Sequence, residues 1–108
     1  MAKIKREAKI SPFDRSVYAL TARIPKGKVS TYGKIARKLG KPGASRAVGQ
    51  ALNRNPWAPQ IPCHRVISSN GDIGGFAGGK KQKIKLLKQE GVKIGKGRIN
   101  LDRYEFLM

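Results

Sequence analysis

The chain has 108 residues, enough for one compact domain, and carries 24 Lys and Arg against 6 Asp and Glu, a formal net charge of +18. Its single cysteine excludes an internal disulfide framework and any Cys-rich zinc site, and no apolar run approaches the ~18–20 residues of a membrane span. So large a charge repels itself and most often finds its neutralising polyanion in nucleic acid, while apolar residues at 39%, set at periodic positions, argue against disorder over most of the chain.

Residues 1–10, MAKIKREAKI, are basic and aperiodic. They read as a flexible arm ahead of a single domain over 11–108. They also lack the apolar core of a signal peptide, so a cytoplasmic setting is expected, or a nuclear one in a eukaryote. Ser11-Pro12-Phe13-Asp14 is a helix start: Ser11 can cap, Pro12 suits the first helical position, and Asp14 stands where a capping-box acid belongs. Phe13, Val17, Leu20 and Ile24 then recur at helical spacing, and Pro25-Lys26-Gly27 ends the run. Val29-Ser30-Thr31 opens a second helix over 32–39, with Ile35, Ala36 and Leu39 on one side and Gly40 as the stop. After the turn Gly40-Lys41-Pro42-Gly43, a third helix over 44–53 turns Ala47, Val48, Ala51 and Leu52 inward. Arg46, Gln50, Asn53 and Arg54 fall on its other faces. Two short helices joined by a glycine-containing turn form a helix-turn-helix candidate, in which Arg46 opens the second helix, where DNA contacts are made.

Two prolines exclude helix from Asn55-Pro56-Trp57-Ala58-Pro59. Val66 and Ile67 read as a short strand and Ser69-Asn70-Gly71-Asp72 as a turn. The glycine-rich stretch 73–79 must be an irregular loop, and it lacks the strand and glycine spacing of a dinucleotide fingerprint. A last helix over 80–90 would bury Ile84, Leu87 and Leu86, with Gly91 as its stop. The tail over 92–108 holds at most one short strand. The pattern is that of a mainly α domain with a small β element.

Chemistry concentrates in Pro62-Cys63-His64-Arg65, where the only cysteine adjoins the only histidine. A neighbouring base can take a thiol proton and nearby cations lower the thiol pKa. Adjacent side chains on an extended segment point apart, so a bridging water is at least as natural as direct contact. The plainer alternative is a buried structural cysteine beside a surface histidine. A base needs an orienting acid. Glu90 closes a helix, where its charge opposes the dipole, and it is either that acid or a solvated helix end. Arg46 is either a DNA contact at a recognition position or one more phosphate-facing or solvated cation, and Tyr32, which opens a helix, reads most plainly as a packed aromatic. A DNA-binding element, a loop and a lone Cys-His pair together suggest chemistry on a base that has been extruded from the duplex.

Pro62-Cys63-His64-Arg65-Val66, preceded by Asn55-Pro56 and Ile61, resembles the active-site signature of the O6-alkylguanine-DNA alkyltransferases. Ser45-Arg46-Ala47-Val48-Gly49 resembles that family's recognition-helix motif, and Gly27-Lys28-Val29-Ser30-Thr31-Tyr32 the segment before it. Gly74-Gly75-Phe76-Ala77-Gly78-Gly79 resembles its active-site loop, and Leu86-Leu87-Lys88-Gln89-Glu90-Gly91 its closing helix. The likeness covers about residues 11–95. It implies a winged-helix-like, helix-turn-helix DNA-binding alkyltransferase domain that binds double-stranded DNA carrying alkylated bases as a monomer. Cys63 would accept the alkyl group from O6-alkylguanine, and from O4-alkylthymine, in a reaction that consumes the protein and needs no cofactor or metal. His64 would take the thiol proton through a water, Glu90 would hold His64, Asn55 would brace the turn, and Tyr32 would donate to the leaving base. Arg46 would fill the vacated place in the duplex, with Ser45, Ala47, Gly49, Gln50 and Arg65 also at the DNA. Ile73, Gly74, Gly75, Phe76 and Ala77 would line the base pocket with Tyr32. Many family members add an N-terminal domain, sometimes with zinc; here only a basic arm precedes the motifs. Ala77 stands where some members have Ser, and Phe76 where many have Tyr. The resemblance also admits a lesion binder that transfers nothing, but that branch lacks the reactive cysteine.

Affinity for duplex DNA should fall steeply with salt, by at least ~10-fold between low and moderate ionic strength, because many cations meet phosphate. A salt titration followed by fluorescence anisotropy measures this. A flat response would assign the charge to something else.

Overall fold

The computed structural model describes residues 10–74 and 79–108. Helix α1 spans Pro12–Thr21. The Ser11 hydroxyl accepts from the Asp14 amide at 3.0 Å, as the sequence requires of a cap. The Asp14 carboxylate, however, turns to Arg54, accepting from Nη2 at 2.9 Å and Nε at 3.2 Å. A residue read as a capping acid thus ties the start of α1 to the end of the third helix. The helix ends three residues before Ile24, whose amide donates to Thr21 O in a turn. Ile24 is still buried, so the helical spacing found a core residue beyond the helix itself.

Strand β1 (Ser30–Thr31) leads directly into α2 (Tyr32–Lys38), capped by the Thr31 hydroxyl on the Lys34 amide at 3.0 Å. The turn 39–44 follows, then α3 (Ser45–Asn53). Val48, Ala51 and Leu52 of α3 are buried, while Ala47 is only half-buried. Beyond the proline-rich loop, Cys63–Arg65 forms a single 3-10 turn, not the extended segment expected, and strand β2 (Val66–Ile67) follows it. β2 pairs in parallel with β1, Ser30 opposite Val66 and Thr31 opposite Ile67. Two-residue strands leave no period to read, so β1 is invisible in the sequence except as a helix cap.

Helix α4 spans Lys80–Gln89, with Glu90 as its C-cap residue. Leu87 is buried, but Ile84 and Leu86 are half-buried, and the fourth inward position belongs to Lys83, fully buried. The tail departs most from expectation. It holds a short helix α5 (Leu101–Tyr104), capped by the Asn100 side chain on the Asp102 amide at 3.0 Å. Its pairing is reduced to isolated bridges between Val29 and Glu105, Asp72 and Arg98, and Gly95 and Arg98. Among the described residues no helix is long and apolar enough to cross a membrane.

The core is divided into two. One cluster gathers Val17, Tyr18, Ile24, Ile35, Ala36, Val48, Ala51, Leu52, Val66 and Cys63, joining α1, α2 and α3, with Ile10 packed against it. The other gathers Val29, Ile67, Ile73, Leu87, Val92, Ile99 and Tyr104 beneath α4 and the tail. The β1–β2 pair straddles them, since Val66 lies in the first and Ile67 in the second. Apart from Ile10, the basic arm lies outside the described residues, as do Gly75, Phe76, Ala77 and Gly78 of the glycine-rich loop.

Tyr18 links α1 to α3 twice: its hydroxyl donates to Ala51 O at 2.7 Å, and its ring meets Trp57 edge-on at 5.9 Å. Tyr18→Phe keeps the ring and loses the buried hydrogen bond. It should lower unfolding stability by ~1 kcal/mol, read as a shift of the urea midpoint at constant slope.

Candidate active site and nucleic-acid interface

The 3-10 turn presents Cys63 and His64 from a frame set by Asn55. Asn55 Nδ2 donates to Ile61 O at 2.8 Å, and its Oδ1 accepts from the Trp57 amide at 3.0 Å. The same side chain hydrogen-bonds the Cys63 sulfur. Asn55 therefore closes the proline loop and reaches Cys63. Cys63 is 3% exposed. Burial pushes its thiol above the usual range, while the Asn55 hydrogen bond, the Lys83 charge and the backbone N–H groups of Cys63 and His64 pull it down.

His64 is also buried. Its Nε2 lies 3.0 Å from Glu90 Oε2. Burial alone would raise the Glu90 carboxyl, but hydrogen bonds from Arg65 and His64 outweigh it and hold the group below its ordinary value. Burial lowers the His64 imidazole despite that carboxylate, with Arg65 and Lys83 pushing the same way. Near neutral pH the pair is thus a carboxylate and a neutral ring. A carboxylate only accepts, so Nε2 must carry the proton and Nδ1 must hold the lone pair. Nδ1 is buried and has no hydrogen-bond partner among the described residues. A neutral imidazole with an open lone pair, in the residue next to a thiol, has what accepting a proton would require.

Arg65, expected at the DNA, is turned inward. Its Nε and Nη2 donate to Glu90 at 2.9 and 2.6 Å, and its Nη1 to Ile24 O at 2.8 Å. Its guanidinium is consumed in holding Glu90 and Ile24 O.

Tyr32 opens α2 directly after β1, and the parallel register sets it beside the strand that follows Cys63. A side chain on Gly49 of α3 would meet its ring at 3.8 Å, and one on Gly74 its hydroxyl at 3.2 Å. Contact at Gly49 is of ordinary van der Waals length, whereas the tight approach at Gly74, with its φ of 75°, needs the missing side chain for the chain to close on Tyr32. Burial, and then the charge of Cys63, raise the Tyr32 pKa, so the phenol keeps its proton and remains a donor.

Lys83 is the residue that sequence reasoning missed. Its Nζ donates to Val66 O at 2.7 Å and to the Tyr32 hydroxyl at 3.3 Å, and lies 5.7 Å from the Tyr32 ring centroid. In the run Lys80-Lys81-Gln82-Lys83 it reads as one more solvated cation. The available signal was its position: Lys83, Leu87 and Glu90 are spaced four and three apart, on the inward stripe of the helix. Burial lowers its pKa to about 8, against the attraction of Cys63.

On α3, Ser45, Arg46 and Gln50 are exposed, and Ala47 and Gly49 half-buried, on the side opposite Val48, Ala51 and Leu52. Ile73 is fully buried in the second cluster, and Gly74 is half-buried beside Tyr32. Gly75, Phe76 and Ala77 of the expected pocket lie outside the described residues. Among the described residues no group of three or more His, Cys, Asp or Glu gathers as a metal would require.

Residues 12–92 match the family model described as 6-O-methylguanine DNA methyltransferase, DNA binding domain. The chain is 49% identical over 81 residues to the methylated-DNA–protein-cysteine methyltransferase of Salmonella typhimurium, an alignment covering 75% of this chain and 47% of that protein. It therefore spans about half the length of that relative. Two solved structures share its fold. The S. pombe Atl1 complex with damaged DNA containing O6-carboxymethylguanine gives a TM-score of 0.83 at 37% identity, covering 92% of this chain and 98% of that one. The Mycobacterium tuberculosis OGT complex with DNA gives 0.73 at 43% identity, covering 75% and 50%.

Lys83 makes the pH dependence of stability testable. Its pKa is lower folded than unfolded, so from about pH 8 to its ordinary 10.5 the unfolded chain binds more protons. Stability must therefore rise with pH across that window, by at most ~1.4 kcal/mol per pH unit from this group. Urea unfolding of wild type and Lys83→Met at several pH values should show this increment only in wild type. Parallel profiles would mean that Lys83 is not titrating in the fold.

Proposed function

The chain belongs to the 6-O-methylguanine DNA methyltransferase family, and from that premise we propose that it binds duplex DNA carrying O6-alkylguanine and takes the alkyl group onto Cys63 once per molecule. The observation that carries this reading is the His64–Glu90 pair, which leaves the buried Nδ1 lone pair of His64 unoccupied beside the only thiol.

Because Cys63 lies in the core, the target base must leave the duplex to reach it. The exposed face of α3 is the surface for that DNA. Arg46 stands at its first turn to occupy the place the base vacates, with Ser45 and Gln50 beside it. The thiol proton passes through a water to His64 Nδ1, and the imidazolium is stabilised by Glu90. The sulfur attacks the alkyl carbon, a carbon–sulfur bond forms, and the carbon–O6 bond breaks with its electron pair going to guanine. The Tyr32 phenol donates a hydrogen bond to the base as that charge develops and keeps its own proton. The proton held on His64 returns through water and balances the departing guanine anion. Lys83 supports both ends: its positive charge favours the thiolate, and its Nζ donates to the Tyr32 oxygen. The product is a thioether, and no described group is placed to cleave it, so each molecule reacts once.

Lesion binding without transfer is the second reading. It is favoured by the near full-length likeness to the Atl1 complex and by a thiol pushed up by burial. Incubation with an oligonucleotide containing O6-methylguanine separates the two. The peptide holding Cys63 should gain the mass of one methyl group, with one equivalent per protein at saturation. Cys63→Ala should gain none and still prefer the modified duplex. Folded, DNA-bound wild-type protein that stays unmodified would leave lesion binding as the function.

A further inference from the structure

The tail carries a cleft that alkyl transfer does not use. It encloses about 400 Å³, and Lys93, Arg98, Asn100, Arg103 and Tyr104 line it, within the ~300–1,000 Å³ of ligand clefts. Its residues begin just past the stretch matched by the family model, which ends at 92. Three cations share the concavity and no Asp or Glu lines it. Of the acids nearby, Glu105 is engaged by Lys34 at 3.2 Å, and Asp72 and Asp102 lie outside the lining. Among the described residues Lys93, Arg98 and Arg103 enter no ion pair.

The cleft is held by backbone. Gly95 and Arg98 exchange N–H···O bonds of 3.0 Å across a two-residue turn, with φ of 55° at Lys96 and 75° at Gly97, the positive pair that a tight hairpin of matching twist needs. Arg98 bridges Asp72, the Ile73 amide donates to Gly97 O at 3.1 Å, and the Ile99 amide to Gly71 O at 2.8 Å. On the other wall the Tyr104 hydroxyl accepts from the Lys93 amide at 3.2 Å, and the Arg103 guanidinium lies 5.4 Å from the Tyr104 ring centroid. Ile99 and Tyr104 are buried in the second core cluster, whereas α3 packs on the first. The walls are therefore anchored while the cationic side chains stay exposed.

Exposed like charges held this close repel one another until an anion with several acceptors lies between them. Guanidinium forks match phosphate oxygens, and Asn100 adds an amide donor. We propose that this cleft is a second phosphodiester-binding site, which grips the DNA backbone independently of the recognition helix. The phosphates come either from the duplex already held by α3 or from a second duplex.

The test compares wild type with the double variant Arg98→Gln/Arg103→Gln. Anisotropy titrations across a salt series use unmodified duplexes of about one helical turn, ~10 base pairs, and of several turns. If the cleft takes flanking phosphates of the same duplex, the log–log salt slope on the long duplex becomes shallower in the variant by about 2, at ~0.9 per phosphate contact. If it takes a second duplex, that slope is unchanged, but energy transfer between donor- and acceptor-labelled short duplexes, present with wild type, disappears. An unchanged slope together with bridging that is absent or unaltered overturns the proposal. Lys93→Gln, with an expected slope change of about 1 or a matching loss of bridging, serves if the double variant melts early. Methyl transfer to Cys63 from the short modified duplex should be the same in all these proteins, so failure of the cleft is distinguishable from failure of the alkyl-transfer reading.

Discussion

Glu90 is the point at which the chain is fastened. Its carboxylate, at the last turn of α4, accepts from His64 Nε2 and from both Nε and Nη2 of Arg65, while Arg65 reaches on to Ile24 O. Three stretches distant in sequence meet there: the exit of α1, the turn that carries Cys63 and the closing helix. A carboxylate at a helix C-terminus opposes the dipole, and burial adds to the cost. The position is sustained by its bidentate guanidinium and the histidine N–H. Without that carboxylate the buried imidazole would have no fixed tautomer, and Arg65 would be a half-buried cation without a counter-charge.

The remaining polar groups set a balance around one sulfur. Burial opposes the thiolate, while Asn55, Lys83 and the backbone N–H groups of the turn favour it. Lys83 is itself buried at a cost, visible in its lowered pKa, and two acceptors, Val66 O and the Tyr32 hydroxyl, accommodate its ammonium. The same lysine thus links the Cys63 thiol, through its charge, to the Tyr32 phenol, through a hydrogen bond. Such pairings of perturbed groups in one small volume are characteristic of sites built for chemistry.

The division of the core explains how so short a chain arranges this. The first cluster fixes α3 with its exposed Arg46, Ser45 and Gln50; the second fixes α4 and the tail. The two-residue parallel pair between them carries Tyr32 on one side and the exit from the Cys63 turn on the other. Small displacements at that seam would move the Tyr32 phenol and the Cys63 thiol apart, so a pairing too short to show in a hydrophobic pattern governs the geometry.

Helical periodicity, caps and breakers settled α1 to α4 to within a few residues, because each carries an apolar stripe and a local stop signal. Adjacency singles out Cys63 and His64 in the sequence, and its helix-end place Glu90, whereas Asn55 and Tyr32 take their expected roles only from the family resemblance. What sequence could not show were the features made by partners distant along the chain: the β1–β2 register, the 3-10 turn, the salt bridge of Asp14 with Arg54, and α5 in a tail with too few apolar residues to show a period. Lys83 and Arg65 mark the limit most clearly. A lysine among lysines and an arginine among cations look solvated until the fold supplies their burial and their acceptors. Local propensity and spacing are written in neighbouring residues. The environment that decides whether a charge faces water or a buried thiol is assembled only when residues some twenty to fifty positions apart close on one another.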